Sequence, residues 1–269
     1  MISEVTQTGR IVQIRAKTLD VNAYIIHYPE YLIVIDSLLL PGDSQKLADL
    51  AESYNKPVKY QINTHFHSDH CLGNRYLKKQ NTTQINQKDY WDTIISERAM
   101  IKPRRNKPIN HGRLTKPEIT FTDEYILDDI ILLSTPGHSP DSICLYLPSE
   151  KALISGDTIL NNAVGKYSLP YFFWGSAQDL IVSMEKLLAL DINIIYSGHG
   201  FPLQGTAKIH SDLTYLRNLT AEVNKHKSQQ LTSKQLAEQI PISSCLNSSL
   251  QPAVPQVHEL NIRQLKSEH

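Results

Sequence analysis

The feature that most constrains the fold is a dense run of histidine and aspartate directly after an apolar segment. Residues 58–63 have the pattern of a buried strand, and the next seven residues read THFHSDH. Alternate side chains at a strand end point the same way, so His65 and His67 are expected to converge. A following turn and helix would direct Asp69 and His70 to a second point nearby. Imidazoles and a carboxylate suit zinc, so the run predicts a metal site. The alternative is a histidine-rich surface loop in which Asp69 caps a helix.

Three later junctions repeat the pattern of a strand followed by a polar ligand beside glycine. They are His138 in TPGHSP, Asp157 in SGDT and His199 in SGHG. Small neighbours let the backbone approach closely, and loops at strand ends can face a shared cleft. A single histidine after a strand is more often an ordinary loop residue. Four such junctions in order are a strong combined signal.

The rest of the chain predicts an α/β protein with a sheet-rich core and helices outside. Strand patterns fall at 10–16, 21–27, 31–36, 58–63, 83–85, 125–134, 143–147, 152–155 and 192–196. Helical patterns fall at 41–51, 72–80, 89–100 and 178–190, and again from 206 to the end with interruptions at 241 and 243–255.

The balanced charge argues against several classes of partner. The 269 residues carry 27 Lys and Arg against 27 Asp and Glu, whereas binders of nucleic acid and membrane surfaces are usually basic. No apolar run approaches the ~20 residues of a membrane span, and the amino terminus has no secretory pattern. Three separated cysteines are too few for a disulfide framework, so a cytoplasmic location is expected. The basic segment 102–116 would favour anionic substrates and keeps a nuclease alternative open.

Taken together, the strand-end ligands resemble the metallo-β-lactamase superfamily. The resemblance rests on seven residues in the family's order, His65, His67, Asp69, His70, His138, Asp157 and His199. It implies a four-layer αββα sandwich, with residues 1–205 as the catalytic domain. Residues 206–269 would form a helical extension packed on the same domain. One departure is Leu38, because the family usually has glycine two residues after the aspartate found here at Asp36.

The resemblance also implies a dinuclear metal site. By motif position, the first ion would be held by His65, His67 and His138. The second ion would be held by Asp69, His70 and His199, and Asp157 would bridge both. The resemblance implies zinc first, with iron or manganese as alternatives, and a bridging hydroxide as the nucleophile. Asp69 would also be catalytic, because it could orient the nucleophile and pass its proton to the leaving group.

The bridging aspartate indicates the branch of the superfamily. Typical β-lactamases have cysteine or serine at that position, so Asp157 favours the thioesterase, lactonase and nuclease branches. GDTIL at 156–160, followed by Gly165, is similar to the glyoxalase II pattern and makes Lys166 and Tyr167 candidate substrate contacts. The alternative for Lys166 is an exposed loop lysine. The aromatic loop 167–174 either lines an acyl pocket or packs against the fold.

The implied activity is hydrolysis of an ester-type bond in a small-molecule substrate, either a thioester such as a hydroxyacylglutathione or a lactone. A β-lactamase, a phosphodiesterase or nuclease, and a persulfide dioxygenase with one iron are the alternatives. Cys71 is expected to be a small buried hydrophobe. Apolar spacing on the last helix, at Leu260, Ile262 and Leu265, leaves a homodimer contact open.

Overall fold

The computed structural model describes residues 1–79, 81–100, 114–162, 165–227, 229, 231–247 and 249–267. The chain divides into two compact units, Met1–Tyr125 and Ile126–His269. Most of the basic segment predicted at 102–116 lies outside the described residues.

The first unit is built on a mixed sheet whose described strands follow the order of the sequence. The strands are β1 (Ile2–Thr8), β2 (Ile11–Ala16), β3 (Asn22–His27), β4 (Leu32–Ile35), β5 (Val58–Ile62), β6 (Thr83–Gln87) and β7 (Ile119–Phe121). Strands β1 to β4 pair antiparallel, and β4 to β7 pair parallel. The helices are α1 (Pro41–Ser53), α2 (Ser68–Cys71), α3 (Asn74–Leu77) and α4 (Tyr90–Met100).

Apolar packing of α1 on the strands makes one hydrophobic cluster of this unit. Leu47 and Ala51 are buried in one cluster with Val12, Ile25 and Val34. The helix places its apolar residues three and four positions apart, so one face covers the sheet. Pro41 stands at the start of α1. Proline suits this position because a backbone N–H there would have no hydrogen-bond partner within the helix.

The turn after β4 has a left-handed backbone at Leu38, although leucine has a Cβ that disfavours this conformation. Leu38 has φ +66°, and Asp36 has φ +58°. This conformation costs a residue with a Cβ about 1–2 kcal/mol. Leu38 is wholly buried in the cluster beneath α1, and this burial offsets the cost. The leucine that replaces the family's glycine therefore leaves a left-handed turn in place.

The second unit is built on another mixed sheet. Its described strands lie in the order β13-β12-β11-β10-β9-β8. They are β8 (Glu124–Leu127), β9 (Ile130–Ser134), β10 (Ile143–Leu147), β11 (Ala152–Gly156), β12 (Ile194–Ser197) and β13 (Leu203–Gln204). The helices are α5 (Ala177–Leu188), α6 (Ala207–Lys225), α7 (Ser233–Gln239), α8 (Ile242–Cys245) and α9 (Gln256–Ser267).

The carboxyl-terminal helices share one core with this sheet. Leu180 of α5, Leu216 of α6 and Ile262 of α9 are buried in the same cluster as Leu153 and Ile195 of the strands. Ile262 and Leu265 of the last helix thus face the interior of their own unit, and Leu260 is partly buried. Within the described residues, no helix has the length and apolar character needed to cross a membrane.

Both units combine a mixed sheet with helices, which confirms the predicted α/β class. The local predictions differ from the structure in several places, and strands β7 and β13 were not predicted. Strand β1 was not predicted, and the strand predicted at 125–134 is two strands separated by a turn in which Asp128 has φ +55°. The helix predicted at 72–80 is replaced by α2 and α3, which are interrupted at Gly73. The division at 205 stays a prediction.

Candidate metal-binding residues

In the first unit, parallel pairing brings two chain segments to the same sheet edge. Ile35 of β4 lies opposite Ile62 of β5, and both strands run the same way. The residues that follow them therefore emerge side by side. His65 leaves β5 at this edge, and its Nε2 lies 2.9 Å from Nδ1 of His67. The rings of His65 and His70 have their centroids 4.3 Å apart.

The side chain of His70 is oriented by Asp36. Nδ1 of His70 lies 2.7 Å from Oδ2 of Asp36, and both side chains are buried. Asp36 also accepts from the backbone N and the hydroxyl of Thr64, each at 2.8 Å. A proton on Nδ1 of His70 suits this carboxylate, so Nε2 is the atom available for a metal. That Nε2 lies 3.7 Å from Oδ2 of Asp69.

The backbone of α2 is held by a buried polar network. The carbonyl of His70 accepts from the amide of Asn63 at 2.8 Å and from the hydroxyl of Ser37 at 3.0 Å. Asn74 donates to Asn63 at 2.7 Å. A Cβ built on Gly73 would lie 1.9 Å from the carbonyl oxygen of Ser37. Only glycine permits this approach.

In the second unit, three predicted ligands leave strands that run in one direction. β9 and β11 are each antiparallel to β10, and β11 is parallel to β12. The ends of β9, β11 and β12 therefore share one edge of the sheet. Oδ2 of Asp157 lies 3.5 Å from Nε2 of His138 and 3.3 Å from Nε2 of His199. A Cβ on Gly198 would lie 2.1 Å from Oδ1 of Asp157, so this approach requires glycine.

His138 is oriented by a backbone carbonyl. Its Nδ1 lies 2.7 Å from the carbonyl oxygen of Tyr171, and its side chain is buried. Since a carbonyl can only accept, Nδ1 carries the proton and Nε2 offers its lone pair. This is the same arrangement as that of His70 with Asp36 in the first unit.

The two predicted substrate contacts differ in exposure. Lys166 is exposed, and its carbonyl accepts from the side chain of Asn162. The hydroxyl of Tyr167 donates to the buried carboxylate of Asp212. The ammonium of Lys208 lies 4.4 Å from the centre of the Tyr167 ring. Their roles in substrate binding stay predictions.

Two other predictions concern apolar packing. Cys71 is buried, and its thiol donates to the carbonyl of Phe66 at 3.1 Å. The expectation of a small buried residue is thus confirmed. In the aromatic loop, Phe172 is buried in the core of the second unit. Tyr171 and Phe173 are only partly buried and stack with ring centroids 6.2 Å apart.

Sequence reasoning did not assign the groups that orient the histidines. Asp36 directly follows an apolar strand, and a polar residue at such a position was an available signal. The partner of His138 is a main-chain carbonyl, so nothing in the residue type of Tyr171 could have indicated it.

A family comparison matches residues 16–199 to the model described as "Metallo-beta-lactamase superfamily". This span exceeds half of the chain and includes all seven strand-end ligands. The chain belongs to the metallo-β-lactamase superfamily. The recognition based on the motif is therefore confirmed.

Curated relatives come from more than one branch of the superfamily. The linear primary-alkylsulfatase of Pseudomonas sp. (strain ATCC 19151) is 24% identical over 261 aligned residues, which cover 81% of this chain and 49% of the relative. The hydroxyacylglutathione hydrolase of Pelagibacter ubique is 26% identical over 186 residues, covering 65% of this chain and 68% of the relative. The chain thus spans about half the length of the alkylsulfatase.

Solved structures support the fold. The sec-alkylsulfatase Pisa1 from Pseudomonas sp. aligns with a TM-score of 0.69 at 17% identity, covering 98% of this chain and 50% of that one. A metallo-β-lactamase from Hirschia baltica aligns with a TM-score of 0.63 at 17% identity, covering 79% and 96% respectively. These neighbours confirm the predicted α/β fold of the metallo-β-lactamase type.

Proposed function

We propose that this chain is a metal-dependent hydrolase of ester-type bonds. The observation that carries the proposal is the paired orientation of two histidines. His70 and His138 each direct Nδ1 to an oxygen at 2.7 Å, and each presents Nε2 near a carboxylate. Metal-binding histidines are held in this way by their outer partners. Packing alone does not account for Asp69 and Asp157 beside these Nε2 atoms.

The distribution of ligands is taken from the family motif. His65, His67 and His138 would hold one ion, and Asp69, His70 and His199 would hold a second. Asp157 would bridge the two. Imidazole nitrogen and carboxylate oxygen suit zinc, and iron or manganese accepts the same donors. The family match supports this assignment because it includes all seven positions.

The bound ions would polarise the scissile bond and lower the pKa of a water molecule towards neutrality. Asp69 lies in the first turn of α2, and its carboxylate is 15% exposed. From this position it can accept a proton from the attacking water and deliver it to the leaving group. Asp36 and the carbonyl of Tyr171 keep the two imidazoles in the orientation that this chemistry requires.

A thioester is the proposed substrate class. The hydroxyacylglutathione hydrolase relative and the GDTIL segment support it. Lys166, which is exposed, is the proposed contact for a negatively charged part of the substrate. Tyr167 stays in this proposal only through its ring, because its hydroxyl is engaged by Asp212 and its backbone N–H and carbonyl are hydrogen-bonded to Gln251 and Ala253. A lactone is the other ester of the same reactivity. The predicted cytoplasmic location and the predicted homodimer stay predictions, but Ile262 and Leu265 are buried in the core and cannot provide the dimer contact expected of them.

A sulfate ester is a second candidate. The alkylsulfatase relative covers 81% of this chain, and the structural alignment with Pisa1 covers 98% of it. The hydroxyacylglutathione hydrolase covers only 65%. The wider coverage favours testing this bond alongside the thioester.

The test combines metal content with hydrolysis of a panel. The panel contains an acylglutathione thioester, a primary alkyl sulfate, an acyl-homoserine lactone, a β-lactam and a phosphodiester. We expect close to two ions per chain and metal-dependent turnover of the thioester. His199→Gln should lose metal and activity, whereas His210→Gln, at an exposed position on α6, should retain both. One iron per chain without hydrolysis would contradict the proposal and favour the dioxygenase alternative.

A further inference from the structure

We infer that Asn261 of α9 is a positioning residue for the metal ligand His138, and that Gln264 supports the same link. Both act through the segment 170–175. This inference rests on the proposed function, because it assigns a role in metal binding to a helix outside the family motif.

The first link is the main-chain carbonyl that orients the ligand. Nδ1 of His138 lies 2.7 Å from the carbonyl oxygen of Tyr171. The direction of this carbonyl depends on where the backbone of the segment lies, since no side chain defines it. Whatever holds the segment therefore holds the imidazole of His138.

The second link is the pair of amides on α9. Nδ2 of Asn261 donates to the carbonyl of Pro170 at 2.8 Å, one residue before Tyr171. Nε2 of Gln264 donates to the carbonyl of Gly175 at 2.9 Å. Asn261 is fully buried, so this bond is made away from water. One helix thus holds both ends of the segment.

Close packing connects the far end of the segment to the backbone beside the ligand. A Cβ on Gly175 would lie 2.1 Å from the carbonyl oxygen of Gly137, the residue before His138. Gly137 has φ +135°, and a Cβ there would lie 2.3 Å from the Cα of Leu180. Such a packed backbone cannot absorb a shift of the segment, so the shift would reach His138.

The amide of Asn261 is itself oriented by buried partners. Nδ2 donates to the hydroxyl oxygen of Tyr215 at 3.2 Å. The hydroxyl of Tyr215 lies 3.0 Å from Nδ1 of His258, and Nε2 of His258 lies 2.7 Å from the carbonyl of Ile240. Nε2 of His258 must donate to this carbonyl, so its Nδ1 accepts from Tyr215. The hydroxyl oxygen is then an acceptor for Asn261, which directs the amide nitrogen towards Pro170.

The experiment measures metal affinity and stability in the same variants. Asn261→Leu removes the buried donor at nearly constant volume, and Gln264→Leu removes the second donor from a partly buried position. The control is Leu265→Ala, which removes packing from the same helix without removing a hydrogen bond. Co²⁺ binding is followed by its visible spectrum in competition with a chelator, and unfolding is followed in urea.

Asn261→Leu removes the hydrogen bond to Pro170. Its affinity for Co²⁺ at the site that includes His138 should therefore fall about 10-fold. A smaller loss is expected in Gln264→Leu. Leu265→Ala should lose stability and bind Co²⁺ as the wild type does. Wild-type affinity in both leucine variants would overturn the inference while leaving the proposed function intact. If Asn261→Leu does not fold, unchanged affinity in Gln264→Leu is sufficient to overturn it. Absence of Co²⁺ binding by the wild type would overturn both proposals.

Discussion

Nδ1 of His70 lies 2.7 Å from Oδ2 of Asp36, although 34 residues separate them in the sequence. The contact exists because β4 and β5 are parallel neighbours, so that Asp36 and the segment after β5 emerge at one edge. Asp36 receives three hydrogen bonds there, two of them from Thr64. The carboxylate therefore orients a histidine and fixes the turn that carries it.

Replacing Asp36 by asparagine should weaken metal binding. The amide has one acceptor oxygen in place of two, so at least one of the three hydrogen bonds that fix Thr64 and His70 is lost. We expect the affinity for Zn²⁺ to fall about 10- to 100-fold, as is typical when a group that hydrogen-bonds to a metal-binding histidine is changed. Chelator competition measures this affinity, with Asp49→Asn on the exposed side of α1 as the control. Wild-type affinity in Asp36→Asn would contradict the role of this carboxylate.

Alanine at Gly137 should destabilise the fold strongly. A Cβ there would meet the backbone of Leu180, and φ +135° is unfavourable for any residue with a Cβ. We expect a loss of about 3 kcal/mol or more in the free energy of unfolding. Gly205→Ala is the matched control, because Gly205 has φ +62° with open space around it. That variant should lose about 1 kcal/mol. Equal losses in urea unfolding would show that the close packing is unimportant.

The buried pair of Lys208 and Asp212 should be sensitive to removal of one partner. Nζ of Lys208 lies 2.5 Å from both carboxylate oxygens, and the two side chains are buried. Lys208→Met leaves an uncompensated carboxylate, which should cost about 3–5 kcal/mol. The double variant with Asp212→Asn should regain part of this loss, because the amide oxygen still accepts from Tyr167. Lys225→Met, which breaks an exposed ion pair, should change stability little.

The stability lost in Lys208→Met should depend on pH, and the pKa of Asp212 gives the direction. Burial raises the pKa of Asp212, and the ammonium of Lys208 opposes that rise. Without Lys208 the pKa should rise further, so the folded state binds a proton more tightly than the unfolded state. This contribution to stability is complete below the unfolded-state pKa and is lost as the pH rises through the folded-state pKa. Lys208→Met should therefore lose less stability at pH 5 than at pH 8. A larger loss at pH 5 would contradict this account.

The cysteine thiols should be unreactive in the folded protein. Cys71, Cys144 and Cys245 are all buried, and burial raises the pKa of the Cys144 thiol from 9.0 to about 11. At pH 8 its thiolate fraction is about 100-fold below that of a thiol with the ordinary value. A disulfide reagent should label no thiol rapidly in the native state and all three after unfolding in guanidinium chloride. Fast labelling of Cys144 in the native state would show that the thiol is accessible.

The candidate ligands were predictable because each stands at a strand end with a local signature. His65 and His67 follow an apolar strand, and Asp157 and His199 have glycine beside them. Gly198 confirms the value of that signal, because a Cβ there would collide with Asp157. The helix predicted at 72–80 was wrong in extent, because α3 covers only Asn74–Leu77 and Lys78 returns to an extended conformation.

The sequence by itself determined the family, the α/β class and the identity of the candidate ligands, because hydrophobic period, turn residues and ligand type are all local properties. Only the tertiary structure decided what holds those ligands in place. Asp36 reaches His70 through strand pairing, and Asn261 reaches the carbonyl of Pro170 across 91 residues. The supports of His138 include main-chain carbonyls, and every residue has one. A carbonyl carries no residue identity, so its role depends entirely on where folding places it.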